Sequence, residues 1–391
     1  MLAAAAMTTL GALPVFLLTA QAVLVREDLG FGEPQLGLAV SAFFAAAAVS
    51  SFVAGALLDR LGRRTGTLLA GGLVLVDCAL LAVGTHSFSV LLVLMVLAGV
   101  ANAAMSMTAN LTIARAVKPQ QRGLAFGVKQ SAVQVAVLLG GVAVPTVGVV
   151  VGWRWSFAVV AVAATVVLLG GLRLPRADAS VATRSPVLDR PPRGALLTSA
   201  LAMVLASASV NSLGAFLPAW AFRVGLTPSE AGVLVAAGSA VSVLLRVLSG
   251  AVADRRRGRN LPVVSAYLAA GAVGMVVLSF DRVPLLLVGA LVAFGIGWAW
   301  PGLFLFAVVR VGRDSPATAS GVIQGGAFAG GAAGPVLFGL LVAATSYPTA
   351  WRTAAVVLLV ASVLLVPARR MFVSDLSRRP PRRPLDPAQG H

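Results

Sequence analysis

Charge is scarce in this chain of 391 residues: Asp, Glu, Lys and Arg together make up only 11% of it, against about a quarter in a soluble domain. Cysteine and histidine are almost absent, since Cys78, His86 and His391 are the only ones. This excludes a disulfide and a metal site built from Cys and His. Neither a G-x-x-x-x-G-K-[ST] loop nor an H-E-x-x-H motif occurs. The chain therefore lacks the phosphate-binding loop of an ATP-driven pump and the zinc ligands of a metalloprotease. We predict no cofactor, no metal and no enzymatic activity.

Long apolar runs take the place of charge, and the mean hydropathy is +0.95. The runs are continuous rather than alternating, which favours membrane-spanning helices over an outer-membrane barrel. We therefore predict an all-α integral membrane protein with twelve transmembrane helices, the first of them part of the mature protein rather than a cleaved signal. The predicted spans are 2–25, 35–58, 66–85, 88–114, 122–149, 154–172, 196–221, 230–252, 262–280, 284–310, 317–345 and 350–367.

The basic residues that give the net charge of +17 lie mainly in every second loop and in the C-terminal tail. This distribution predicts a multi-pass protein of the inner (cytoplasmic) cell membrane with both termini in the cytoplasm, and it argues against nucleic-acid binding. We predict two six-helix bundles, residues 1–172 and 196–367. They are joined by a Pro- and Arg-rich cytoplasmic linker, 173–195, and followed by a basic cytoplasmic tail, 368–391.

The two halves repeat each other at an offset of about 195 residues. Three pairs of segments match in order: Gly55 and Asp59 with Gly250 and Asp254, "AGVAN" (98–102) with "FGIGW" (294–298), and "GVKQ" (127–130) with "GVIQ" (321–324). Both halves are expected to begin on the same side of the membrane. The halves are therefore predicted to be parallel repeats related by an axis along the membrane normal.

The stretch "GALLDRLGRR" connects the predicted second and third helices. It meets the pattern G-x-x-x-D-R-x-G-R-R at Gly55, Asp59, Arg60, Gly62, Arg63 and Arg64. This pattern resembles the signature of the major facilitator superfamily, and the helix count, linker and repeat extend the resemblance over the whole chain. The resemblance implies a secondary transporter that works by alternating access. The second copy, with Gly250, Asp254 and Arg255, departs by one inserted residue.

We interpret this motif as a conformational latch. Gly55 would allow two helices to approach closely. Asp59 would face the positive end of the third helix and nearby guanidinium groups. Arg246 lies two turns before Asp254, and we expect it to pair with the second cluster rather than to contact substrate.

Replacing Asp59 with asparagine tests the latch interpretation. We expect Asp59→Asn to slow transport with little change in substrate affinity, because the latch holds a conformation and does not bind the substrate. Initial rates and binding constants of the variant and the wild type check this. A large loss of affinity at an unchanged maximal rate would contradict it.

Polar side chains inside predicted spans are the candidate functional residues. The resemblance implies that helices 1, 4, 7 and 10 line a central cavity. The substrate-binding candidates are Asn102, Lys129, Gln130, Asn211, Trp298 and Gln324. Lys129 is the strongest candidate. A cation at the centre of a span costs roughly 2.5–3.5 kcal/mol, so it rarely faces lipid. Asp77, an acid well inside a span, is a candidate for proton coupling or a structural partner.

These features predict a secondary active transporter of a small organic solute, proton-coupled and directed toward an organic anion. It would work as a monomer in the cytoplasmic membrane, with the lipid bilayer, the substrate and a proton as its partners. The alternative is a proton-driven efflux antiporter of drugs or metabolites. The segments "LAGVANAAM" and "LLGGVAVP" depart from the motifs of drug antiporters, which weakens that alternative. A membrane-embedded sensor or enzyme is the distant alternative.

Overall fold

The computed structural model describes residues 1–116, 122–174, 192–253, 260–310 and 316–379. Within these ranges only the backbone is described at 52–60, 114–116, 122–127, 253, 309–310 and 316–318. Most of the predicted linker and the last twelve residues of the tail, 380–391, therefore lie outside the described residues. So do Asp254, Arg255 and the side chains of Asp59 and Arg60.

Twelve helices in the described part of the chain are long and apolar enough to cross a membrane, which confirms the predicted fold class. The first six are α1 (Leu2–Ala20), α2 (Glu33–Ser51), α3 (Leu61–Val83), α4 (Phe88–Ala116), α5 (Arg122–Ala143) and α6 (Trp153–Leu172). The second six are α7 (Arg193–Val224), α8 (Pro228–Ala253), α9 (Asn260–Leu278), α10 (Val283–Val308), α11 (Pro316–Ala344) and α12 (Tyr347–Arg378).

Several boundaries differ from the prediction. The first span ends at Ala20, and a separate helix, Ala22–Leu29, follows. The helices α2 and α3 follow each other within 33–83 and are separated by a kink at Gly62, whose φ of 78° is one that favours glycine. The last helix runs on to Arg378, so the first part of the predicted tail is helical.

The tenth span, predicted as one helix, is broken. It begins as the α-helix Val283–Ala290, continues as the π-helical turn Leu291–Ile296, and leaves 297–300 outside any helix. A second α-helix, Pro301–Arg310, follows, and we call it α10b. Proline at the first helical position lacks the N–H that would have no partner there, so Pro301 suits this start.

Successive helices run in opposite directions, so we name the end of the bundle at which α1 begins the N-face and the other end the distal face. Across the two halves, α2 packs on α11 and α5 packs on α8. The backbone N–H of Val336 donates to Ser41 Oγ at 3.1 Å. A π-helical turn, Val144–Gly148, continues α5 toward the distal face, and we count it as part of α5. A Cβ atom at Gly232 would lie 2.6 Å from the Cβ of Val144 in this turn. These contacts fall in the distal halves of all four helices, where the bundle is closed.

The sequence G-x-x-x-G-P on α11 serves helix packing. Cβ atoms at Gly330 and Gly334 would collide with the backbone of Val204 and Ala208 on α7. The absence of side chains at these two positions therefore lets α7 and α11 approach closely. Gly250 is different, because nothing lies within 4 Å of the position its Cβ would take. The described residues therefore show no close helix approach at the second copy of the motif.

Candidate substrate cavity

A cavity of about 200 Å³ lies between the two halves. It is lined by side chains from the middle and N-face parts of α1, α2, α4, α5, α7, α8, α10 and α11. All six substrate-binding candidates predicted from the sequence line it, namely Asn102, Lys129, Gln130, Asn211, Trp298 and Gln324. Residues from corresponding positions of the two repeats, such as Gln130 and Gln324, thus reach the same cavity.

Lys129 projects from α5 toward α4, within the N-terminal half. Its Nζ atom donates to Asn110 Oδ1 at 2.7 Å and to Ser106 Oγ at 3.0 Å. Lys129 is only 7% exposed, so it is buried in the bundle rather than extended to the aqueous surface. Both acceptors are neutral, and Lys129 forms no ion pair in the described part of the chain. Its positive charge is therefore available to a ligand in the cavity.

Arg246 projects from α8 and bridges the two halves. One Nη atom donates to the backbone carbonyl of Gln130 at 2.9 Å. The other donates to Gln134 Oε1 at 3.2 Å and to the carbonyl of Trp298 at 2.7 Å. We expected Arg246 to pair with the second latch cluster, whose Asp254 and Arg255 lie outside the described residues. The structure places Arg246 on the cavity wall, and its three partners in the described part of the chain are neutral.

Three amide side chains complete the polar part of the lining. Asn211 Nδ2 donates to the carbonyl of Ser207 at 2.8 Å and to its hydroxyl at 3.0 Å, so this amide group is held in place. Asn102 and Gln324 face the cavity without a side-chain hydrogen bond in the described region. An amide without a protein partner can donate to one ligand atom and accept from another.

Aromatic rings form the apolar part of the lining. Trp298 makes edge-to-face contacts with Phe16 at 6.3 Å and with Phe294 at 4.9 Å between ring centroids. Phe43 and Phe44, neighbours on α2, also line the cavity, and their ring centroids lie 5.2 Å apart. Because Arg246 is hydrogen-bonded to the carbonyl of Trp298, the cation and the aromatic wall meet at this residue. The cavity therefore combines positive charge with apolar surface.

The other predicted residues lie away from this cavity. Asp77 on α3 is fully buried and does not line it, and neither carboxylate oxygen has a hydrogen-bond partner. Gly62 forms the kink between α2 and α3, and Arg63 and Arg64 follow it in the first helical turn of α3. Gly55, Asp59 and Arg60 have only their backbone described, within that same helix. The latch assignment therefore stays a prediction.

Arg246 lines the cavity although the sequence did not predict it as a substrate-binding residue. For Arg246 a signal existed: it is an intramembrane cation with no acid on its own helix within reach, and such a residue usually faces the bundle interior. Trp300 is 1% exposed and lines the cavity beside the break in α10. Nothing in its local sequence marks that break except Pro301.

Comparisons with known proteins agree with this architecture. A family model described as Major Facilitator Superfamily matches residues 1–333 and 200–390. The chain is 30% identical to an uncharacterised MFS-type transporter of Mycobacterium tuberculosis, over 82% of this chain and 74% of that protein. It is 31% identical to a chloramphenicol resistance protein of Streptomyces lividans, over 82% of each.

The fold also matches a solved structure along nearly its whole length. That structure is an inward-facing, unoccupied bacterial homologue of the human lysosomal transporter Spinster, with a TM-score of 0.72 and 17% sequence identity. The match covers 96% of this chain and 97% of the other. Together with the family model and the relatives, it shows that the chain belongs to the major facilitator superfamily of membrane transporters.

Proposed function

We propose that this protein is a proton-coupled secondary transporter of small organic anions. The observation that carries the proposal is a cavity with two cations, Lys129 and Arg246, and no carboxylate among its described lining residues. A buried cation without a counter-ion is costly, and an anionic ligand would offset that cost. Because the cavity is formed within one chain, we infer that the monomer is the transporting unit.

In an alternating-access cycle, the closed distal face corresponds to one of the two conformations. The glycine contacts between α5 and α8 and between α2 and α11 close the distal face. The cavity-lining residues lie toward the N-face. The excess of Lys and Arg in the loops of the N-face makes that face cytoplasmic by the positive-inside rule. On this proposal both termini are cytoplasmic, and the conformation described here is the inward-facing one.

Transport into proteoliposomes with an imposed pH gradient tests this function. We expect a pool of labelled organic anions to yield at least one solute that accumulates only when the gradient is present. Labelled sugars and organic cations serve as the control pools. Accumulation of cations or neutral solutes, with none of anions, would contradict the proposal.

Asp77 is our candidate for the proton-coupling group. Its carboxyl group is fully buried with no partner for either oxygen, so burying the charged form would be costly. A proton on this group in the inward-facing conformation, released in the other, would couple transport to the gradient. The group lies outside the cavity, so it would act on the conformational equilibrium rather than on the substrate.

Asp77→Asn tests the coupling role, because asparagine has the same shape and carries no proton to release. We expect the variant to lose gradient-driven accumulation and to keep exchange of labelled for unlabelled substrate. Both are measured in the same proteoliposomes. Accumulation equal to that of the wild type would assign Asp77 to a structural role instead.

Efflux of a drug is the second candidate, and the similarity to a chloramphenicol resistance protein favours it. The drug tolerance of a host cell with and without expression of this chain distinguishes the two. A rise in tolerance to chloramphenicol that disappears in the Lys129→Met variant would indicate that the drug and the anion bind at the same site. A rise that Lys129→Met leaves unchanged would favour efflux through other contacts.

A further inference from the structure

We infer that the substrate is a small organic dianion, and that one of its anionic groups binds at the break in α10. This inference rests on the proposed function, since it names the class of anion that the same cavity would accept. It stands on three observations: the number of cations, the orphan donors beside Pro301, and the size of the cavity.

The first observation is the placement of the two cations. Lys129 and Gln130 are neighbours on α5, and Arg246 donates to the carbonyl of Gln130. Both cations therefore lie at the same level of α5 and line the same cavity. Neither forms an ion pair in the part of the chain that the structure describes, and like charges repel more strongly as the local dielectric falls. A monoanion would leave one positive charge uncompensated, whereas a dianion would compensate both.

The second observation is the start of α10b. The first intrahelical hydrogen bond runs from the N–H of Phe304 to the carbonyl of Trp300. The N–H groups of Gly302 and Leu303 precede it. The carbonyl of Trp298, which would accept from Gly302 in an unbroken helix, accepts from Arg246 instead. A helix N-terminus with free N–H groups favours an anion.

Buried donors without partners lie beside this helix start. Trp300 is 1% exposed and lines the cavity, and its Nε1 atom has no hydrogen-bond partner in the described part of the chain. The Nε atom of Arg246, another lining residue, has none among the described residues either. A Cβ atom at Gly302 would lie 3.8 Å from the Cβ of Gln130, so the helix start is adjacent to the cations. Buried donors without partners are costly, and the oxygens of an anionic group would satisfy them.

The third observation is size. A cavity of about 200 Å³ is smaller than the roughly 300–1,000 Å³ of sites that hold drug-sized ligands. Small dianions fit this space, and the class includes dicarboxylates and phosphonates or phosphate monoesters of few carbons. Lys129, with its partners on α4, would hold the second negative charge or share a single doubly charged group with Arg246.

Two pairs of ligands with matched shape test the inference in binding assays with the purified protein. Succinate and succinamate differ by one negative charge, and so do phenylphosphonate and benzenesulfonate at mildly alkaline pH. Fluorescence of the cavity tryptophans or thermal stabilisation reports binding. We expect the dianion of at least one pair to bind about tenfold more tightly than its monoanion, a difference that one additional charge-assisted contact supplies.

Two variants connect that preference to the named residues. Lys129→Met should remove most of the preference for the dianion. Trp300→Phe should weaken the dianion several-fold while leaving the fold intact, because it removes the Nε1 donor and keeps the ring. Equal affinity within both pairs, or a preference that neither variant changes, would overturn the inference. Lys129-dependent transport of monoanions without a charge preference would overturn the inference but remain consistent with the proposed function. Transport limited to cations would contradict both.

Discussion

Lys129→Met is expected to reduce transport of organic anions about 10- to 100-fold while the protein remains folded. A hydrogen bond to a charged group is worth about 1.5–3 kcal/mol, which corresponds to this range. The substitution should weaken substrate binding and leave the contacts between the two halves unchanged. Lys129 makes its two hydrogen bonds within the N-terminal half and does not join the halves. Initial uptake rates in proteoliposomes, at matched protein content, measure the effect.

Two further variants make the Lys129 experiment specific. Lys129→Arg keeps the charge and should retain part of the activity. Arg173→Met removes a positive charge from an exposed position at the end of α6, and it should transport like the wild type. Because Asn110 loses its donor in Lys129→Met, a modest loss of thermal stability is expected as well. Wild-type uptake by Lys129→Met would remove this residue from the binding site and with it the main argument for an anionic substrate.

The general architecture followed from hydropathy and charge, because bilayer physics leaves few alternatives. An apolar run of about 20 residues has to form a helix. The repeat of "GVKQ" as "GVIQ" then placed Gln130 and Gln324 at equivalent positions of two similar bundles. Equivalent positions of two bundles related by an axis come together where both face that axis, and Gln130 and Gln324 both line the cavity between the halves.

Contacts across the two halves could not be predicted in the same way. Arg246 is eight residues from Asp254 in sequence, and this proximity suggested a latch role rather than a position on the cavity wall. Its real partners, Gln130, Gln134 and Trp298, are far away in the chain, and only the rotation of α8 about its own axis selects them. Hydropathy alone does not determine that rotation in a helix that is apolar almost all round.

The break in α10 was missed for a related reason. Hydropathy reports whether a segment spans the membrane, and Val283–Val308 does. It is insensitive to a few residues that leave the helix where neighbouring protein shields them. The structure allows non-helical backbone at 297–300 because Trp298 and Trp300 are buried in the bundle rather than exposed to lipid. The site at α10b thus depends on tertiary contacts that the local sequence does not encode.

Gly232→Val is expected to shift the protein toward the conformation that is open on the distal face. A Cβ atom at Gly232 would lie 2.6 Å from the Cβ of Val144 and 2.7 Å from the carbonyl oxygen of Gly141. The helices α5 and α8 would therefore have to separate where the halves close. Overpacking of this kind costs about 1–3 kcal/mol, enough to change a conformational equilibrium about 5- to 150-fold. Transport should fall by a similar factor, because the cycle requires both conformations.

Labelling of a cavity cysteine measures this shift directly. Ala12→Cys introduces a thiol on α1 at the cavity wall, and the native Cys78 is fully buried. A membrane-impermeant maleimide added on the distal side should label Ala12→Cys faster when Gly232→Val is also present. Gly72→Val is the matched control, because no atom lies within 4 Å of its Cβ position, and it should leave the labelling rate unchanged. Slow labelling in a folded Gly232→Val protein would mean that the contact of α5 with α8 does not control access from the distal face.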